Sequence, residues 1–88
     1  MRTLSEKEYY ELGKELCRLN MDEEGEYEKE YQIGDLSAYV SFKVRYYFER
    51  FCVRDVKIII QETDTDDPVF ISSEHLMLLE KDIELCVL

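Results

Sequence analysis

The sequence predicts an α+β domain in the order α-β-β-β-α, with a three-stranded antiparallel sheet and two helices packed on one face. Three patterns predict it. A capped stretch with helical apolar spacing opens the chain. Alternating stretches flank a Gly-Asp pair in the middle, and a second serine-capped helical stretch closes it. Eighty-eight residues suit one domain spanning residues 1–88. At 45% hydrophobic and 12% aromatic, the chain is too apolar for an acidic disordered segment.

The first helix follows from TLSEKEYYELGKELCRLN. Ser5 and Glu8 have the spacing of a capping box, and Leu4 and Tyr9 that of a hydrophobic staple. Tyr9, Leu12, Leu16 and Leu19 form one apolar stripe, with Lys7, Glu11, Lys14 and Arg18 opposite. Gly13 borders the stripe. It costs about 1 kcal/mol against alanine, so it is expected where another element comes close. The helix is expected to end near Asn20, and MDEEG to be a loop.

The first two strands follow from EYEKEYQIGDLSAYVSFKVRYYF. Gly34-Asp35 is a two-residue hairpin signal, with glycine supplying the positive φ of a type II′ turn. That turn sets Ile33 opposite Leu36. Counting outward, Tyr31 meets Ala38, Lys29 meets Val40 and Tyr27 meets Phe42. On the reverse face Glu30 meets Tyr39, Glu28 meets Ser41 and Glu26 meets Lys43, with Glu24 near Arg45. Val40, Phe42, Val44, Tyr46 and Phe48 are therefore expected inside, and Tyr39, Ser41, Lys43, Arg45 and Tyr47 outside. The mixture of aromatic and basic residues in YVSFKVRYYFERF is accounted for by one half-buried strand whose cations are matched by glutamates. It also lacks the glycine-containing consensus of an RRM.

The third strand lies in CVRDVKIIIQET, where Val56, Ile58 and Ile60 alternate with Lys57, Ile59 and Gln61. Its start has two readings: a turn around Glu49-Arg50 with a bulge at Arg54-Asp55, or a turn at Arg54-Asp55 itself. DTDDP reads as a loop stopped by Pro68. Ser72 or Ser73 caps the last helix, SEHLMLLEKDIELCVL, with Glu74 in its first turn. Leu76, Leu79, Ile83, Cys86 and Val87 form its main stripe. Leu78 and Leu85 fall nearly opposite, with Met77 and Leu88 between.

The net charge of −10 opposes binding to nucleic acid or an anionic membrane. The charge is uneven: residues 1–31 carry −5, residues 32–62 carry +1 and residues 63–88 carry −6. Cys17, Cys52 and Cys86 are odd in number and far apart, with no CxxC, so they read as free thiols in a reducing cytoplasm. MRTLSEKEYY has no apolar signal region, and no apolar run approaches the length of a membrane span.

Catalytic and metal motifs fail on inspection. DTDDPVFISSEH opens like a calcium loop but has Val69 where glycine is required and His75 where glutamate is required. His75, the one histidine, is expected to be exposed and has no nucleophile spaced to accompany it. No P-loop, Gly-rich dinucleotide turn or HExxH is present. The chain is expected to be non-enzymatic, with no catalytic residue, cofactor or metal. The element order is the same as in double-stranded RNA-binding domains. Those carry a basic cluster at the start of the last helix, where this chain reads SSEHLMLLEKD, and their function is not carried over.

The expected function is that of a small acidic protein–protein interaction module that self-associates in the cytoplasm, with no direct nucleic-acid or membrane binding. Two apolar surfaces are candidates: Met77, Leu78, Leu85 and Leu88 on the last helix, and Tyr39, Tyr47 and Ile59 on the outer sheet face. Asp22, Glu23, Glu24, Asp64, Asp66 and Asp67 are the candidate acidic patch. Its alternative use is as a nucleic-acid mimic that blocks a basic site on another protein. A third reading is an accessory subunit of a larger complex.

Overall fold

A computed structural model describes residues 2–20 and 23–86. The elements are β1 (Arg2–Thr3), α1 (Glu6–Leu16), β2 (Gly25–Ile33), β3 (Leu36–Tyr47), β4 (Arg50–Glu62), β5 (Pro68–Phe70) and α2 (Ser73–Leu85). The class is α+β, but the sheet is five-stranded and mixed, in the order β1-β5-β4-β3-β2. This corrects the expected three-stranded antiparallel sheet and the α-β-β-β-α order. The β1–β5 pair is parallel and the other pairs are antiparallel. Two and three residues are too few to show alternation, so β1 and β5 carry no periodic signal. Pro68 is tolerated because it is the first residue of its strand. Val69 is buried opposite Ile60, and the Leu4 N–H donates to the Phe70 carbonyl at 2.8 Å. Arg2 adds an ionic clasp, pairing with Glu8, with Asp35 at 3.2 Å and with Glu62 at 3.5 Å.

The β2–β3 hairpin has the register set by its turn. Gly34 has φ +60°, and Asp35 is not among the residues with positive φ, as a type II′ turn requires. Ile33 pairs with Leu36, Tyr31 with Ala38, Lys29 with Val40 and Tyr27 with Phe42. Leu36, Ala38, Val40, Phe42 and Val44 are buried, and Leu12, Leu16, Leu79 and Ile83 from the two helices join them in one core. Tyr46 and Phe48 do not follow the inward pattern; both are exposed, Phe48 to 83%. Beyond Val44 the strand has left β2 behind, and β3 and β4 continue as a two-stranded arm.

The arm closes at Phe48 and Glu49, with φ 51° and 64°, and Tyr47 pairs with Arg50. Positive φ at both central positions is the type I′ pattern. Asp55 has φ 55°, and the β3–β4 register shifts between Ser41 and Lys43. This is the turn-then-bulge reading of the third strand. The extra residue reverses which side chains face the core. Phe51 and Val53 point inward before the bulge; Ile58 and Ile60 do so after it. Arg54, Cys52 and Arg50 therefore share the outer face with Lys43, Arg45 and Tyr47.

Helix α1 has the expected capping box: Ser5 Oγ accepts from the Glu8 N–H at 3.2 Å, and Glu8 Oε1 accepts from the Ser5 N–H at 3.0 Å. It ends at Leu16 rather than near Asn20. The Arg18 and Leu19 N–H groups bond to Glu15 and Leu16, three residues back, and this tightens the chain out of the α-helix. Ser72 caps α2, accepting from the His75 N–H at 3.2 Å. The Cys86 thiol donates to the Leu16 carbonyl at 3.0 Å, tying the ends of the two helices together. Gly13 faces α2, where a Cβ would stand 3.3 Å from Asp82 Oδ2. Asp82 is half-buried in this crossing, and desolvation raises its carboxyl above the ordinary value of 3.8.

The left-handed turn and the desolvated carboxylate each bear on stability. Left-handed backbone costs a bulky residue about 1 kcal/mol or more. Phe48→Asn with Glu49→Gly should raise unfolding stability by about 1 kcal/mol, read as a higher denaturant midpoint with unchanged slope. For Asp82, the folded state holds its proton more tightly than the unfolded state, so its ionisation weakens the fold as pH rises through the raised value. Asp82→Asn should therefore be more stable than the parent at pH 7, with the difference closing as pH falls toward 3, in chemical denaturation across pH.

Candidate functional site

The two helices cover the inner face of the sheet, and the outer face is the candidate site. Its side chains lie in rows set by the strand register. One row runs Glu30, Tyr39, Ile59 across β2, β3 and β4. Continuing the β4–β5 register places Phe70 next to Ile59. Tyr39, Ile59 and Phe70 are 40%, 57% and 53% exposed, so three large apolar side chains stand side by side in water. The next row is Glu28, Ser41, Lys57, and the one after it Glu26, Lys43, Arg54. Beyond the end of β2 come Arg45 opposite Cys52 and Tyr47 opposite Arg50.

The face is thus divided by charge. β2 contributes an acidic strip of Glu26, Glu28 and Glu30; β4 contributes a basic strip of Arg50, Arg54 and Lys57. Lys43 in the centre pairs with Glu26 at 3.6 Å and with Asp55 at 3.5 Å. Glu24 does not pair with Arg45; its carboxylate accepts from the Tyr46 N–H and stands in for a β2 backbone that has ended. The Arg45 guanidinium donates to the Val44 carbonyl at 3.2 Å. Ion pairs among the described residues involve Arg2, Arg18, Lys43 and His75, and leave out Arg45, Arg50, Arg54 and Lys57. Glu30 stands directly opposite Tyr39, and its carboxylate, as an acceptor and a negative charge beside the phenol, raises the phenol above its ordinary value.

The sequence-derived residues sort as follows. Tyr39 and Ile59 are directly paired on the outer face. Tyr47 is exposed but lies out on the arm, stacked edge-on against Phe48 at 4.3 Å. Met77, Leu78 and Leu85 are all exposed on α2, and Leu88 lies outside the described residues. Glu23 and Glu24 precede β2, whereas Asp64, Asp66 and Asp67 lie in the β4–β5 loop at the other end of β3; Asp22 lies outside the described residues. Phe70 escaped sequence reasoning because its three-residue strand is too short to carry a periodic signal. Arg50 and Arg54 escaped it because the bulge decides which way they face.

His75 is less exposed than expected. Its ring stacks on Tyr9 at 4.4 Å, its Nε2 lies 3.8 Å from Glu6, and its Nδ1 is buried without a partner. All three cysteines are free thiols. Among the described residues no cluster of His, Cys, Asp and Glu is arranged to hold a metal, and no helix is long and apolar enough to cross a membrane. No family model, curated protein or solved structure matches this chain.

The Tyr39–Glu30 pair is open to direct measurement. Glu30→Gln keeps the side chain's size and removes its charge, so the Tyr39 phenol should titrate at lower pH in the variant than in the parent. Ring resonances followed through alkaline pH by NMR read this change.

Proposed function

We propose that this chain is a small, non-catalytic protein–protein interaction module that pairs with a second copy of itself through the outer face of its sheet. The observation that carries the reading is the layout of that face: an apolar row, Tyr39–Ile59–Phe70, beside an acidic strip on β2 and a basic strip on β4. Such a layout is complementary to itself under one symmetry. A two-fold axis parallel to β3, lying between two stacked sheets, sets β2 of each copy over β4 of the other. Glu28 of each copy then meets Lys57 of the other. An axis across the strands would instead set glutamate on glutamate, so the charges choose between the two geometries.

The size also fits. Strands spaced about 4.8 Å apart make a five-stranded face about 20 Å wide. Stacking two such faces buries on the order of 1,000 Å² in total, the lower end of specific interfaces. The shallow depression lined by Glu28, Glu30, Tyr39, Ser41, Lys57 and Ile59 gives facing side chains room to interdigitate. The exposed residues of α2 are less well suited, because Lys81 and Glu84 interrupt Leu78 and Leu85.

Sedimentation analysis at micromolar concentration tests the reading. The parent should be a dimer, and Ile59→Arg should shift it to monomer. Lys57→Glu should weaken the dimer, and adding Glu28→Lys should restore it. A monomeric parent refutes the proposal. So does a dimer that tolerates Ile59→Arg but is lost on Leu78→Glu.

A further inference from the structure

β4 has a long free edge. On one side it pairs with β3 from Arg50 to Glu62; on the other, β5 reaches it only at Ile60 and Gln61. From Arg50 to Ile58 this second edge faces no strand among the described residues. The Asp55 bulge interrupts the run, leaving Arg50–Arg54 as a regular stretch on the arm. A free edge displays unpaired backbone donors and acceptors, which another extended chain can satisfy.

The side chains around this edge define the chain that would fit. On the outer face stand Arg50 and Arg54, which enter no ion pair among the described residues. On the inner face Phe51 and Val53, with Tyr46 from β3 and Leu85 from α2, line a cleft of about 660 Å³, to which Glu49, Lys81 and Glu84 also contribute. The molecule already contains a strand that answers the same two chemistries across β3. β2 alternates Glu26, Glu28 and Glu30 on the outer face with Tyr27 and Tyr31 on the inner face, and both tyrosines pack against the core. Beside Arg50–Arg54 there is no counterpart of β2 among the described residues.

We propose that Arg50–Arg54 is a docking edge for an extended segment of a partner protein whose side chains alternate acidic and apolar. The segment adds as a strand beside β4. Its carboxylates meet Arg50 and Arg54, and its apolar side chains enter the cleft against Phe51, Val53 and Leu85. The exposed rings of the arm and its unpaired cations also suit a single nucleic-acid strand. The peptide is favoured on two grounds. It completes the backbone pairing and covers the apolar part of the cleft, and it carries fewer charges into the field of a −10 chain.

The probe is a fluorescent eight-residue peptide alternating glutamate with valine or tyrosine, read by anisotropy. It should bind saturably, and roughly tenfold or more tightly than a peptide of the same composition in blocked, non-alternating order. Arg50→Glu with Arg54→Glu should weaken it by roughly tenfold or more. N-methylation of one alternate set of peptide amides should abolish binding, and of the other set should not, because only one set faces the edge. This control leaves the protein untouched. Ile59→Arg should leave peptide binding unchanged, which separates this edge from the proposed dimer face. No saturable binding, equal binding of the blocked peptide, equal tolerance of both N-methylated sets, or tighter binding of a single-stranded oligothymidine would each overturn the proposal.

Discussion

The bend at Gly34–Asp35 holds β2 and β3 in one register, and that register decides which side of the sheet is wet. Leu36, Ala38, Val40, Phe42 and Val44 lie on the buried side, with Tyr39, Ser41, Lys43 and Arg45 opposite. Side chains alternate along a strand, so a slip of one residue would exchange the two sets. It would expose four large apolar side chains, each worth about 1.5–3 kcal/mol of burial, and would drive Lys43 and Arg45 toward the helices. Both helices, the charged strips and the apolar row are placed by this choice.

A second constraint closes the far side of the sheet. Arg2 is two residues from the chain start, yet it touches α1 through Glu8, the β2–β3 turn through Asp35 and the end of β4 through Glu62. Leu4, buried beside it, joins the core. Residues remote in sequence are gathered where β1 pairs with β5, so side chains add to the few ladder bonds of the two short strands. The pairing brings Phe70 onto the outer face and completes the apolar row.

Elements were legible in the sequence where local chemistry determines them. Ser5 with Glu8, Ser72 before an apolar run, and Gly34 between two alternating stretches each impose a structure that needs no distant partner. The β2–β3 register, and with it the Glu26–Lys43 pair, followed by counting. What stayed hidden depends on tertiary context. The turn at Phe48 and Glu49 was only one of two readings, because neither glycine nor asparagine announces its left-handed backbone. β1 and β5 exist because Val69 and Leu4 find a core to enter. Arg18 and Leu19 leave the helix although their residue types are compatible with it. The candidate site was half visible: Tyr39 and Ile59 came from alternation, Phe70 depended on a strand too short to show in the sequence, and Arg50 and Arg54 depended on which of two readings of the start of β4 holds.

The single extra residue at Asp55 has a bearing on how this arm could vary among descendants of the same chain. Losing or gaining one residue between Asp55 and the Phe48–Glu49 bend would turn the distal part of β4 over, sending arginines under the sheet and Phe51 into water. Changes that lengthen both strands by matched pairs would keep every side chain on its own side and merely extend the reach of the arm. The arm's length is therefore free to drift in even steps, while odd ones are closed to it.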